Sequence, residues 1–234
     1  MKTMKFSTGI LCIAMLLSAC SMSNTAKGGL IGGGSGGALG ALIGQLAGGG
    51  KGAAIGAAIG TAVGAGTGTL IGHKMDKAKK AAEAANAETE VITDENGNAA
   101  AVKATFPSGI LFSLSSSTLS AQAQSNLKTF VTNLDTDLDL SIYGFTDNTP
   151  FKGVSAAQSQ EKNKALSLQR AQTVSNFLKS SGLAASRIRE VTGLGETNPV
   201  ADNSTAAGKE QNRRVEIYIF PSEALIKQAQ QQAQ

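Results

Sequence analysis

Hydrophobic and polar positions divide the chain into stretches with different periods. Between Gly28 and Gly72 a glycine stands at every fourth position, and the residues between are mainly Ala, Leu, Ile and Val (GALGALIG, GAAIGAAIGTAVG). A period of four keeps these glycines on one slowly drifting helix face, where a second backbone can approach closely, the small-xxx-small packing used in lipid. In water each glycine costs such a helix about 1 kcal/mol relative to Ala. In a bilayer the backbone must satisfy its own hydrogen bonds, and helix becomes the available solution. A single helix of this length would run about 67 Å, over twice a hydrocarbon core of about 30 Å. The run Gly48-Gly49-Gly50-Lys51-Gly52 is the natural break. The pattern therefore predicts a membrane-associated hairpin of two helices over 28–72. A flexible Gly/Ala linker is the alternative, and it gives no reason for twelve glycines in strict register.

From His73 to Ala87 the chain turns charged and Ala-rich, which predicts a soluble helix leaving the membrane surface. Glu88–Asp94 and Ala101–Phe106 predict a short hairpin about Asn96-Gly97, a turn signal. Beyond it the periods alternate. Gly109–Leu114 reads as a strand. Thr118–Leu134 reads as a helix with Leu119, Ala123, Leu127, Phe130, Val131 and Leu134 on one stripe. Leu138, Leu140 and Ile142 alternate with polar neighbours as in a strand. Asn163–Ser180, closed by Gly182, is a helix, and Arg187–Gly193 and Val215–Phe220 are two more strands. The expected fold class is α/β (α+β): a βαβαββ mixed sheet with helices on one face, preceded by the glycine-zipper helical segment.

Composition sharpens this division. Of the 28 glycines, 19 fall in the zipper, and the whole chain is only 4% aromatic, with no Trp and one His. At the N-terminus Lys2 and Lys5 precede the apolar run Ile10–Leu17, too short to span a bilayer, which ends in Leu17-Ser18-Ala19-Cys20. That ending resembles the lipobox of bacterial lipoproteins. It implies cleavage after Ala19 and acylation of Cys20, with palmitate as one of the acyl chains, and Ser21 after the cysteine favours the outer membrane by resemblance to the lipoprotein sorting rule. Cys12 leaves with the signal, so one cysteine remains and no internal disulfide can form. Without Lys2 and Lys5 the formal charge of +4 falls to +2 and both signs are mixed, so no nucleic-acid stripe remains. Phosphate-loop matches at Gly32/Gly34/Gly37 and Gly50-Lys51 lack the strand and the Ser/Thr such loops need. His73 has no second ligand near it and reads as a surface residue. No cofactor and no metal site is expected.

The C-terminal half carries specific motifs: Tyr143-Gly144-Phe145-Thr146-Asp147-Asn148-Thr149, then Asn163-Lys164-Ala165-Leu166-Ser167-Leu168-Gln169-Arg170-Ala171, then Asn198-Pro199-Val200-Ala201-Asp202-Asn203, and Asn212-Arg213-Arg214-Val215-Glu216-Ile217. In this order, across about 110 residues, they resemble the OmpA-like C-terminal domain, and with the lipobox and zipper they resemble the YiaD-like lipoproteins of that family. The resemblance implies non-covalent binding of peptidoglycan through the diaminopimelate of its stem peptide. Spacing is compatible with a zwitterion site. Asn163 and Arg170, seven apart, share a helix face. Asp147 would meet an ammonium and Arg170 a carboxylate in bidentate fashion. A plainer reading has Asp147 and Arg170 pair with each other as a staple between loop and helix. By position, Thr146, Asn163 and Arg213 match pocket residues of the family, and Ser115 stands where some members carry Asn. Arg214 is expected to point away from Arg213. The departures are Phe112-Ser113 in place of Phe-Asp, and a 150–162 loop about eight residues longer than in compact members, long enough to cover or reshape the pocket.

The expected organisation is a signal peptide over 1–19, a lipidated N-terminus and short linker over 20–27, the glycine zipper over 28–72, a charged linker helix and hairpin start over 73–100, and an OmpA-like domain with a polar C-terminal tail over 101–234. The function expected is that of an outer-membrane lipoprotein tethering the membrane to the cell wall, with its C-terminal domain in the periplasm and outer-membrane lipid and peptidoglycan as partners. An oligomeric zipper, or a pore using the domain as wall anchor, is compatible with this. A stator would need a carboxylate in the membrane segment, and 28–72 contains no Asp or Glu. A hydrolase would need an acid–base pair, a nucleophile with its base, or zinc ligands in the C-terminal domain, and the sequence offers none, so no enzyme is expected.

Overall fold

The structure is a computed structural model that describes residues 68–93, 97–113 and 116–232. The expectations for the signal peptide, Cys20, residues 28–67 of the zipper and Ser115 lie outside these residues.

Glu88–Thr93 (β1) and Ala99–Pro107 (β2) form the expected antiparallel hairpin, with Glu90 opposite Lys103 and Val91 opposite Val102. β2 continues into a five-stranded mixed sheet of order β1-β2-β5-β3-β4, where β3 is Leu138–Gly144, β4 Ile188–Gly193 and β5 Arg214–Pro221. β5 lies at the centre, antiparallel to β2 and β3, while β3 and β4 are parallel. That parallel pair needs a crossover helix. The long helix Ala156–Ser180 supplies it, and packs on both strands.

Four departures from expectation have physical causes. The described residues of the expected strand, 109–113, do not form one. Ser108–Leu111 forms one helical turn (α2), followed by a single bridge between Phe112 and Leu119, and the strand paired with β5 is β2. The last ladder bond runs from the Ser108 amide to Arg213 O at 2.8 Å, and with Pro107 as its N-cap the chain turns helical at Ser108. The long helix, α4 in chain order, begins at Ala156 and not at Asn163, so the longer loop is mostly about two extra helical turns. Ser155 caps it, accepting from the Gln158 amide while the Gln158 side chain returns to the Ser155 N–H. The expected polar tail is an amphipathic helix, Glu223–Gln232 (α6), with Leu225, Ile226 and Ala229 buried.

The fourth concerns Gly68–Ala84 (α1), of which residues 68–72 were expected in the membrane-associated zipper and those from His73 onward in a charged linker helix. Its Ile71, Met75, Ala78, Ala81, Ala82 and Ala85 side join the main core beside Val102, Ala104 and Phe106 of β2. Alanine-rich helices with Lys on one face look solvated in sequence, yet the small side chains let α1 lie close on the sheet. The last zipper glycines, Gly68 and Gly72, fall inside this helix. Lys74 bridges Asp135 and Asp137 at 3.0 and 2.9 Å, and Lys77 reaches Asp135 at 2.9 Å, fixing α1 to the turn before β3. The hydrophobic core therefore does not respect a boundary at residue 101.

Ala121–Asn133 (α3), capped by Ser120, buries Ala123, Leu127 and Phe130 as the stripe predicts. Val215, Ile217 and Ile219 of β5 face the same core, all fully buried. Their alternates, Glu216, Tyr218 and Phe220, face the other side of the sheet with Tyr143 and Phe145 and are buried there too.

Candidate functional site

Two glycines bring α4 against the strands that carry the candidate residues. A Cβ at Gly144, the last residue of β3, would collide with the Ser167 carbonyl, and one at Gly193, the last of β4, would collide with the Leu168 backbone. With no side chain at either place, the helix face bearing Asn163 and Arg170 settles beside the loop that leaves β3. That loop is pinned to its neighbours: the Phe145 amide donates to Arg214 O at 2.9 Å and the Thr146 amide to Gly195 O at 2.8 Å.

Asp147, 6% exposed, uses both carboxylate oxygens. Oδ1 accepts the Thr149 amide at 2.8 Å, and Oδ2 is paired with Nη1 of Arg213. Burial opposes its ionisation, but the Thr149 hydrogen bonds and the Arg213 guanidinium outweigh that and hold the carboxyl below its ordinary range. Asn163, 3% exposed, donates from Nδ2 to Glu196 Oε2 at 3.1 Å and to Thr149 O at 3.4 Å.

Arg170 is 5% exposed. Its Nε donates to Ser116 O at 3.1 Å, and its guanidinium lies 5.4 Å from the centre of the Phe112 ring. It makes no ion pair among the described residues. Burial first, then the nearby Arg213 guanidinium, push its pKa below the usual arginine value, with Asp147 partly opposing. The staple between Asp147 and Arg170 is thus not formed: Asp147 takes Arg213 as its ionic partner, and Arg170 stays a buried cation with no carboxylate partner among the described residues.

Adjacent arginines divide between the two sides of the sheet. Arg213, which follows Ala206–Asn212 (α5), turns to Asp147. Arg214 turns the other way, as expected, donating to Glu216 Oε1 at 2.7 Å with its guanidinium 3.8 Å from the centre of the Phe145 ring.

Thr146, Asp147, Asn163, Arg170 and Arg213 line one cavity of ≈ 770 Å³, so five of the six expected pocket residues come together there. The Thr146 hydroxyl and that of Ser108, also in the lining, are buried without a hydrogen-bond partner. Sequence reasoning did not assign Phe112, Phe151, Lys152, Glu196 or Glu210 to the site. Phe112 was noticed only as part of a departure from a motif, the 150–162 loop was expected to cover or reshape the pocket without any residue of it being named, and Glu196 acts by holding Asn163. A second cavity of ≈ 690 Å³, against β1 and β2, is lined by charges that largely pair within it, Lys103 with Glu90 and Arg214 with Glu216. Of these two, the first combines a buried cation that makes no ion pair among the described residues with a carboxylate in the same lining. It can hold an ammonium and a carboxylate borne by one molecule.

Residues 111–213 match the model of the OmpA family, and residues 1–82 match that of the YMGG-like Gly-zipper. The chain is 39% identical over 117 residues to "Probable lipoprotein YiaD" of Escherichia coli, covering 49% of each protein. It is 42% identical over 83 residues to "Peptidoglycan-binding protein ArfA" of Mycobacterium tuberculosis, covering 36% of this chain and 23% of that one. The chain thus spans about half or less of the length of these relatives. Among solved structures, the cell wall anchor of the T6SS from Pseudomonas aeruginosa superposes with a TM-score of 0.50 at 26% identity, over 63% of this chain and 96% of that one.

Proposed function

We propose that this chain, whose residues 111–213 form an OmpA-family domain behind a YMGG-like Gly-zipper, is a cell-wall anchor of the bacterial envelope. In this reading it is lipidated at Cys20, sits in the outer membrane and holds peptidoglycan non-covalently by the diaminopimelate of the stem peptide. The names of ArfA and of the T6SS anchor support the wall as partner, and that of YiaD supports the lipoprotein assignment.

One observation carries the chemistry: Arg170 is a buried guanidinium with no carboxylate among the described residues, and it lines the same cavity as Asp147. A buried charge of this kind is costly until paired. The free end of diaminopimelate bears an ammonium and a carboxylate on one carbon, the complement of Asp147 and Arg170. A planar guanidinium takes a carboxylate by two parallel bonds. Asp147 retains acceptor capacity, since a carboxylate offers about four lone-pair positions and its bonds with Thr149 and Arg213 do not fill them all. Asn163 and the Thr146 hydroxyl add polar contacts, and Arg213 holds Asp147 ionised and in place.

Co-sedimentation of the full chain with purified peptidoglycan tests this, with and without competing meso-diaminopimelic acid. Binding lost in folded Asp147→Ala, and competed by the free amino acid, is the expected result. Full binding by that variant would place the site elsewhere. Palmitate labelling that disappears in Cys20→Ala tests the anchor separately, and persistent labelling would remove it.

A further inference from the structure

The lining of the candidate cavity carries more positive charge than a zwitterion can use. Arg170, Arg213 and Lys152 face it, against Asp147 and Glu210. A ligand group that is itself neutral overall leaves this excess of one cation in place. Lys152 makes no ion pair among the described residues.

Beside it stands Phe151, a lining residue that is still 38% exposed. The segment that presents the pair is held at both ends. Asn163 Nδ2 donates to Thr149 O, the Phe151 amide donates to Ser159 Oγ at 2.9 Å, and Ser155 caps α4. The Lys162 ammonium rests 5.6 Å from the centre of the Phe151 ring, which keeps that ring in place at the cavity mouth. Gly153 turns the chain between the two anchor points with φ +75°. An ordered, half-exposed aromatic ring beside an unpaired ammonium offers an apolar face and a counter-charge together.

We propose that Phe151 and Lys152 form a second subsite, which takes an alkyl-bearing carboxylate carried by the same ligand beyond its zwitterion. Within a stem peptide this chemistry belongs to an alanine following diaminopimelate, whose methyl group lies on the Phe151 ring and whose carboxylate meets Lys152. The subsite rests on the function proposed above and adds to it a preference for stem peptides that end in a free carboxylate.

Titration calorimetry on the full chain in detergent, with three probes, tests it: meso-diaminopimelic acid, a stem tetrapeptide ending in diaminopimelate-D-alanine, and the C-terminal amide of that peptide. The acid peptide should bind more tightly than its amide by roughly two- to fivefold, the range of an exposed ion pair. Lys152→Ala should erase that preference, and Phe151→Ala should weaken both peptides roughly three- to tenfold. Both variants should weaken free diaminopimelic acid less than they weaken the acid peptide. Equal binding of acid and amide by the unaltered chain overturns the subsite while leaving the zwitterion site standing, provided Arg170→Met weakens binding of all three. Failure of every probe to bind the unaltered chain overturns both.

Discussion

Replacing Arg170 by methionine sets folding and binding in opposition. Methionine keeps most of the stem that packs in α4 and removes the guanidinium. The folded chain loses one hydrogen bond from a charged donor, to Ser116 O at 3.1 Å, worth about 1.5 to 3 kcal/mol. It also loses the contact with the Phe112 ring, worth about 0.5 to 2 kcal/mol. Against these stands the desolvation of a cation that is 5% exposed and has no carboxylate among the described residues, a cost of several kcal/mol that methionine relieves. The net change in stability is about zero or favourable. Loss of the two-point contact to a ligand carboxylate should weaken binding roughly tenfold to a hundredfold. Arg170→Lys should bind nearly as poorly, because an ammonium cannot supply the planar fork. Thermal melts and peptidoglycan sedimentation on the same preparations read both effects. A structural arginine would behave in the opposite way, with about 3 to 5 kcal/mol lost on truncation and a fall of roughly 6 °C or more in Tm. A drop of that size with sedimentation intact would refute the reasoning.

Other expectations follow from the same geometry. Asp147 has a carboxyl held below its ordinary pKa, so the stability it contributes is fully present above the unfolded value and disappears as pH falls through the lower, folded one. Its share of ligand binding should therefore be flat from pH 7 to about 5 and fade only in stronger acid, and a loss of peptidoglycan binding centred near pH 6 would contradict this. A fragment beginning at residue 100 lacks α1 and β1 and exposes the core beside Val102, Ala104 and Phe106. It should show no cooperative melt, whereas a fragment beginning at residue 68 should, and equal melting of the two would show α1 to be dispensable. Gly144→Ala would drive a Cβ into the Ser167 carbonyl, and it should lower Tm by about 5 °C or more and weaken binding by displacing Asn163 and Arg170. An unchanged Tm would mean that α4 has room to move.

Most of the sheet was legible because its core strands keep a strict period of two and its helices a strict stripe. Val215, Ile217 and Ile219, and Leu119, Ala123, Leu127 and Phe130, all face inward as the sequence spacing requires. Misreadings arose where period and burial part company. Residues 109–114 have a strand's apolar composition, but the chain turns helical at Ser108, with Pro107 as the N-cap. The first turns of α4, residues 156–162, are polar on every side, and only the box formed by Ser155 and Gln158 signals their helix. α1 hides its role because alanine carries little hydrophobic weight in a pattern while packing closely in a core. At the site, motif positions brought Thr146, Asp147, Asn163, Arg170 and Arg213 to one cavity. Which arginine would pair with Asp147 was not readable, since Arg170 and Arg213 reach it from separate elements, and only the packing of α4 on β3 decides between them.

The clamp between α1 and the sheet bears on how the molecule would carry load. In an anchor, tension enters from the membrane side at Gly68 and leaves through a ligand held by α4 and the loop after β3. Seventeen residues of α1 span about 25 Å and would form a slack leash if they hung free. Packed at Ile71 and Met75 and tied by Lys74 and Lys77 to Asp135 and Asp137, they give no such slack. Tension must instead slide the helix along β2, breaking apolar contacts and ion pairs together. In such an anchor this segment would act as a stiff strut, and a sudden pull on it would be met by resistance before α1 pays out.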